Sequence, residues 1–112
     1  MRKRQHKKRS RRILSDLVLQ RMSILYDMAL ERARSGDYEQ ASRLGSLIKE
    51  LSLRTRVRMP KRLKRGLCKN CNLPLIPGVT SRVRLRSQGG FSYRVLTCLR
   101  CGWMHRYPYN KR

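Results

Sequence analysis

Between Ile13 and Leu51 the apolar side chains recur every three or four positions, the period of a helix with one face turned inward. Leu14, Leu17 with Val18, Met22, Leu25, Met28 with Ala29, and Ala33 form a first stripe. Gly36 stands where a helix C′ glycine belongs, and Asp37 follows as an N-cap with Gln40 three residues on. A second stripe runs through Tyr38, Ala41, Leu44, Leu47 with Ile48, and Leu51. A turn this short predicts two antiparallel helices. Pro60 disfavours helix at Met59, so the second helix is expected to stop before it and an extended connector to follow. Further on the period changes to two. RVRLRS (82–87) and FSYRVLT (91–97) alternate as strands, with Gln88, Gly89 and Gly90 as the turn between them. The pattern is α+β: an N-terminal antiparallel helical hairpin, then a small antiparallel β-sheet.

Charge divides the chain along similar lines. Its 112 residues hold 29 Lys and Arg against 6 Asp and Glu, a formal net charge of +23. Self-repulsion on that scale opposes compaction unless a polyanion is present, whether nucleic acid, an acidic membrane surface or an acidic protein. Residues 1–12 carry eight basic side chains and almost nothing to bury, and read as a disordered basic arm. All six acids fall within 13–50, against five basic residues. This near-neutral hairpin, 13–53, has more apolar side chains on its first helix than one stripe needs. Leu14, Leu17, Leu19, Tyr26 and Leu30 are therefore candidates for a face that docks a protein partner. Residues 51–112 hold sixteen basic residues and no acid. Arg54, Arg56, Arg58, Lys61, Arg62, Lys64 and Arg65 crowd the connector, 54–67, and Lys69, Arg82, Arg84, Arg86 and Arg106 continue into the last segment, 68–112. No apolar run approaches the roughly 20 residues of a membrane span, and the basic N-terminus has no apolar stretch behind it, so an intracellular, cytoplasmic protein is expected.

Cys68, Cys71, Cys98 and Cys101 make two C-x-x-C pairs. Two such knuckles supply a closed tetrahedral shell of four thiolates, the pattern of one structural Zn²⁺. Asn72 and Gly102, one residue past each pair, suit the positive φ with which such a turn closes. With a strand hairpin between the knuckles, the layout is that of a zinc ribbon. Arg82, Arg84 and Arg86 then share one face of a strand, opposite Val83 and Leu85, and the segment has no carboxylate to offset them. Phosphates are the anions that fit best. A closed shell leaves no open position for catalytic water. His105, four residues after Cys101, could in principle replace a cysteine, but is expected to be exposed or to face RNA. Tyr93, Trp103 and Tyr107 are candidates for stacking on unpaired bases, with core packing the stronger expectation for Trp103.

RVRMPKRLKRGLCKNC (56–71), LPLIPGVTSRVRLR (73–86), TCLRCG (97–102) and RYPY (106–109) together closely resemble archaeal ribonuclease P protein component 4, a zinc-ribbon family shared with the eukaryotic nuclear enzyme. The resemblance implies a non-catalytic, RNA-binding subunit that assists RNA-catalysed removal of 5′ leaders from precursor tRNA. It also implies a heterodimer with ribonuclease P protein component 1 through the N-terminal helices, and binding to the specificity region of the RNA subunit. A zinc-ribbon component of ribosome or transcription machinery is the alternative, since a double C-x-x-C alone occurs in many ribbons.

Overall fold

Gly36, at φ +90°, ends the first helix as its spacing predicts. The Gly36 N–H donates to the Ala33 carbonyl at 3.2 Å and the Asp37 N–H to that of Arg32 at 2.9 Å, the paired closure of a Schellman motif. The computed structural model describes the backbone of residues 2–109 and the burial of 4–87 and 89–109. Helix α1 (Arg2–Arg34) and helix α2 (Tyr38–Thr55) pack against one another as the hairpin. Asp37 caps α2, its carboxylate accepting the Gln40 N–H at 3.3 Å. Among the described residues no helix is long and apolar enough to cross a membrane.

The structure departs from the expected elements at three places. Residues 2–12, expected to be disordered, continue α1 without a break; Met1 lies outside the described residues. Arg, Lys and Gln are good helix formers, 2–34 has no Gly or Pro, and adding turns to a helix already nucleated is easy. The connector is not extended throughout: Pro60 sits at the N-cap of a short helix α3 (Lys61–Gly66), whose Leu63 is fully buried. Proline breaks what precedes it but is well suited to starting a helix. The expected hairpin is present as β1 (Ser81–Gln88) and β2 (Phe91–Cys98), and RYPY, to which the spacing assigns no element, belongs to a third strand, β3 (Met104–Tyr109). Residues 110–112 lie outside the described residues. Gly89 and Gly90, at φ +58° and +81°, form the turn. The sheet order is β1–β2–β3, antiparallel throughout.

Two apolar clusters hold these elements. The first joins Val18, Met22 and Tyr26 of α1, Ile48 of α2, Leu63 of α3 and Leu67. It corrects the phase read for α1. Leu14, Leu17 and Met28, placed on the inner stripe by spacing, are 46%, 58% and 45% exposed, while Tyr26, placed off it, is buried. The reason lies outside the helix. Gly66 leaves room for the Tyr26 ring, and a Cβ there would collide with its hydroxyl. The second cluster joins Ala33 and Ala41 to Leu73, Leu75, Leu96, Cys68 and Cys98. It fastens the cysteine module to the turn end of the hairpin.

Candidate metal centre and nucleic-acid interface

Each cysteine pair is folded by the same two backbone bonds. The Asn72 N–H donates to the Cys68 carbonyl and the Gly102 N–H to that of Cys98, both at 2.9 Å. The Cys68 N–H donates to Leu73 at 2.9 Å and the Cys98 N–H to Trp103 at 2.8 Å. Asn72 and Gly102 take positive φ, +63° and +80°, as expected. Two alike turns therefore face one another, and their four Sγ atoms lie within 4.8 Å of each other. Cys68 and Cys101 are 3.5 Å apart and Cys71 and Cys98 are 3.7 Å apart. Sulfurs on a tetrahedron around zinc sit about 3.8 Å apart, given Zn–S bonds of about 2.3 Å. The four cysteines are close enough to hold a metal ion, and their donor set fits one with a preference for thiolate.

Burial pushes the Cys68 and Cys71 thiols up. Burial acts in the same sense on Cys101, but hydrogen bonds from the Trp103 backbone and from Asn70, Cys68 and Cys98 outweigh it and bring this thiol down to about 6. A divalent cation among four sulfurs favours the thiolate at every one of them, so binding releases protons.

The first knuckle rests on α2 through a contact that spacing alone does not reveal. Asn72 Nδ2 donates to Ser46 Oγ at 2.9 Å, and the Asn72 carbonyl lies where a Cβ on Gly45 would stand. Lys49 Nζ adds a bond to the Lys69 carbonyl at 3.3 Å. Asn72 thus supplies both the left-handed turn and the dock.

The sheet turns two different faces outward. In register, Arg82 pairs with Thr97, Arg84 with Val95 and Arg86 with Tyr93, and Arg106 joins Val95 from β3. These residues line an open groove of about 620 Å³. The three arginines of β1 share one face, as alternation predicts, with Arg106 beside them. Val83 and Leu85 do lie on the other face, yet they are 40% and 68% exposed because little packs against the outer end of β1. Arg54, Arg56, Arg58, Lys61, Arg62, Lys64, Arg65 and Lys69 are all exposed but outside this groove. Arg62 donates to Ser23 of α1 at 3.1 Å, and Arg65 reaches the opposite face of the sheet.

His105 corrects an expectation. Its place opposite Leu96 turns it toward the core, where it is only 4% exposed and stacks on Tyr107. Burial, together with the charges of Lys69 and Lys49, holds its pKa below the usual imidazole value. It is not among the residues gathered at the sulfur cluster. Trp103, expected in the core, is 47% exposed, whereas Tyr93 lines the arginine groove and Tyr107 is half-buried. Of the residues proposed for partner docking, Leu14 and Leu17 are exposed, Leu19 and Leu30 lie half-buried against the helical cluster, and Tyr26 is inside it. Ile13 and Ile24, passed over in the sequence, extend the exposed apolar face, being 61% and 57% exposed. Helical spacing from Leu17 to Ile24 was the available signal. Arg94, not among the expected RNA-binding residues, pairs with Leu85 and so lies on the face opposite the three arginines of β1.

Residues 21–102 match the family model for the RNAse P Rpr2/Rpp21/SNM1 subunit domain. Ribonuclease P protein component 4 of Aeropyrum pernix is 55% identical over 103 residues, covering 92% of this chain and 63% of that relative. The protein of the same name from Hyperthermus butylicus is 46% identical over 101 residues, covering 90% of this chain and 88% of its own length. Among solved structures, a chain from the cryo-EM structure of archaeal ribonuclease P with mature tRNA aligns at TM-score 0.77 and 35% identity, over 83% of this chain and 77% of that one. The Pfu Rpp21 structure aligns at TM-score 0.62 and 38% identity, over 82% of this chain and 99% of that one.

Proposed function

This chain belongs to the RNase P Rpr2/Rpp21/SNM1 subunit family, and on that premise we propose that it is a non-catalytic, RNA-binding subunit of ribonuclease P. It assists the RNA-catalysed removal of 5′ leaders from precursor tRNA, in the cytoplasm. The observation that carries this reading is the arginine groove of the sheet. Arg82, Arg84, Arg86 and Arg106 converge there in a segment without a single carboxylate after residue 50. Helical RNA is recognised through its phosphates, 2′-hydroxyls and shape, which suits a row of arginines on a rigid strand better than a base-reading helix. The connector cations, from Arg54 to Lys69, are exposed outside that groove and offer further phosphate contacts to the specificity region of the RNA subunit and the bound precursor.

The ion in this reading is one structural Zn²⁺ held by Cys68, Cys71, Cys98 and Cys101. It supplies a rigid frame to a module with a small core, and four thiolates leave it no site for catalytic water. Component 1 is the protein partner. The exposed apolar stripe of α1, centred on Leu14, Leu17, Ile24 and Met28, is the surface that would receive it.

Replacing Arg82, Arg84 and Arg86 together with Ala tests the assignment. Binding to ribonuclease P RNA should weaken, and its salt slope should flatten by roughly 2 to 3, at roughly 0.7 to 0.9 for each phosphate that is no longer neutralised. Binding to the protein partner should be unchanged. Loss of partner binding with intact RNA affinity would mean that the two surfaces are assigned the wrong way round. RNA crosslinked to the protein in its native cells should be enriched in ribonuclease P RNA and precursor tRNA; enrichment in ribosomal RNA or DNA would instead favour a ribosomal or transcriptional role.

A further inference from the structure

The face of the sheet opposite the arginine groove has a different chemistry. Leu85 of β1 pairs with Arg94 of β2, and Arg94 with Tyr107 of β3. With Arg65 from α3, Pro108 and Tyr109, these side chains surround an open recess of about 380 Å³. The Arg65 guanidinium lies 5.0 Å from the centre of the Tyr107 ring and that of Arg94 lies 5.7 Å from it. Leu85 is 68% exposed at the rim.

We propose that this recess seats an unpaired nucleobase of the bound RNA, a contact distinct from the phosphate contacts of the opposite face. The inference rests on the RNA-binding reading above. The arginine groove also has apolar members, Tyr93, Leu99 and Met104, but in the recess two guanidiniums lie against one tyrosine ring beside the exposed Leu85 and Pro108, an arrangement that phosphate alone has no use for. A flat ligand with an apolar face and a nearby negative charge uses all of them. Guanidinium planes and aromatic rings are the surfaces on which unstacked bases lie, and such stacking is indifferent to base identity. A paired helix keeps its bases inside and offers none to such a recess. Charge complementarity is complete, since residues 51–112 contain no acid. The two surfaces lie on opposite faces of one three-stranded sheet and adjoin at its β1 edge, where Arg84 faces the groove and Leu85 the recess. An RNA that wraps this edge meets both.

Two variants of the full chain with its metal separate stacking from charge. Leu85→Ser removes apolar surface at an exposed position without altering charge. Arg94→Lys keeps the charge but replaces the plane with a point cation. The probes are a short unpaired oligoadenylate and a fully paired RNA stem of equal length. Each variant should lose roughly tenfold in affinity for the oligoadenylate while binding the stem as the parent does, with the same salt slope. The Arg82, Arg84 and Arg86 triple variant should chiefly lose the stem. Oligoadenylate affinity unchanged in both Leu85→Ser and Arg94→Lys overturns the proposal, as does a parent protein that binds the stem but not the oligoadenylate. In either case the phosphate face stands. If the parent binds neither probe, the RNA-binding reading itself fails and takes this one with it.

Discussion

In the helical hairpin, Val18, Met22, Tyr26 and Ile48 meet Leu63 and Leu67 in a cluster made entirely of large apolar side chains. In the ribbon the corresponding cluster is Leu73, Leu75 and Leu96 around Cys68 and Cys98, completed by Ala33 and Ala41 from the two helices. The first region buries a cluster of large side chains, and within it residues 13–50 nearly balance their charges, six acidic against five basic. The other has a thin core, a one-signed surface and four converging thiols. A module that must present many cations cannot also spend its few residues on a large core, and a metal shell resolves the conflict. The difference teaches that stability and charge are allotted to separate parts of this chain, so perturbing one should leave the other recognisable.

The severest trial of that contrast is Cys98→Ser. Metal binding should be abolished, a loss on the order of 10 kcal/mol for a structural zinc site. The ribbon should become open to proteolysis while far-UV circular dichroism still shows the helices. A variant with full metal content and a protected ribbon would end the distinction drawn here. Chelation of the parent protein should reproduce the variant's behaviour.

A smaller effect examines how the two regions are joined. Alanine within a helix is ordinarily more stable than glycine by about 0.5–1 kcal/mol. At position 45 the added methyl meets the Asn72 carbonyl, which is backbone and cannot swing aside. Gly45→Ala should therefore destabilise the protein, by about 1–3 kcal/mol, and lower its melting temperature. A rise instead would show that the first knuckle does not press on α2.

The least effect concerns pH. His105 is buried, with its pKa held below that of an exposed imidazole by burial and by Lys69 and Lys49. The unfolded chain thus takes up this proton at a higher pH than the folded one does. The stabilisation is complete above the unfolded value of 6.5 and is lost as pH falls through the folded value. Between about pH 7 and pH 5, the parent should lose more stability than His105→Phe, measured by denaturant unfolding with metal held constant. Equal losses would place the imidazole in contact with water.

Some of this protein was legible without a fold. The Schellman glycine, the Asp37 cap, the two-glycine strand turn, the paired C-x-x-C spacing and the three-arginine face of β1 depend on residues a few positions apart, where chain geometry alone sets the outcome. Basic residues at 2–12 were misread because composition reports what a segment has to bury, not whether a neighbouring helix will extend through it. The tertiary structure alone decided which face of α1 is inside, because Leu14 and Tyr26 are both apolar and the choice belongs to α2, α3 and the space left by Gly66. It alone turned RYPY into a strand, since β3 forms by pairing with the free edge of β2, and so carried His105 into the core. It also brought Arg65 and Arg94 to one tyrosine ring, a meeting of helix and sheet that no local period encodes.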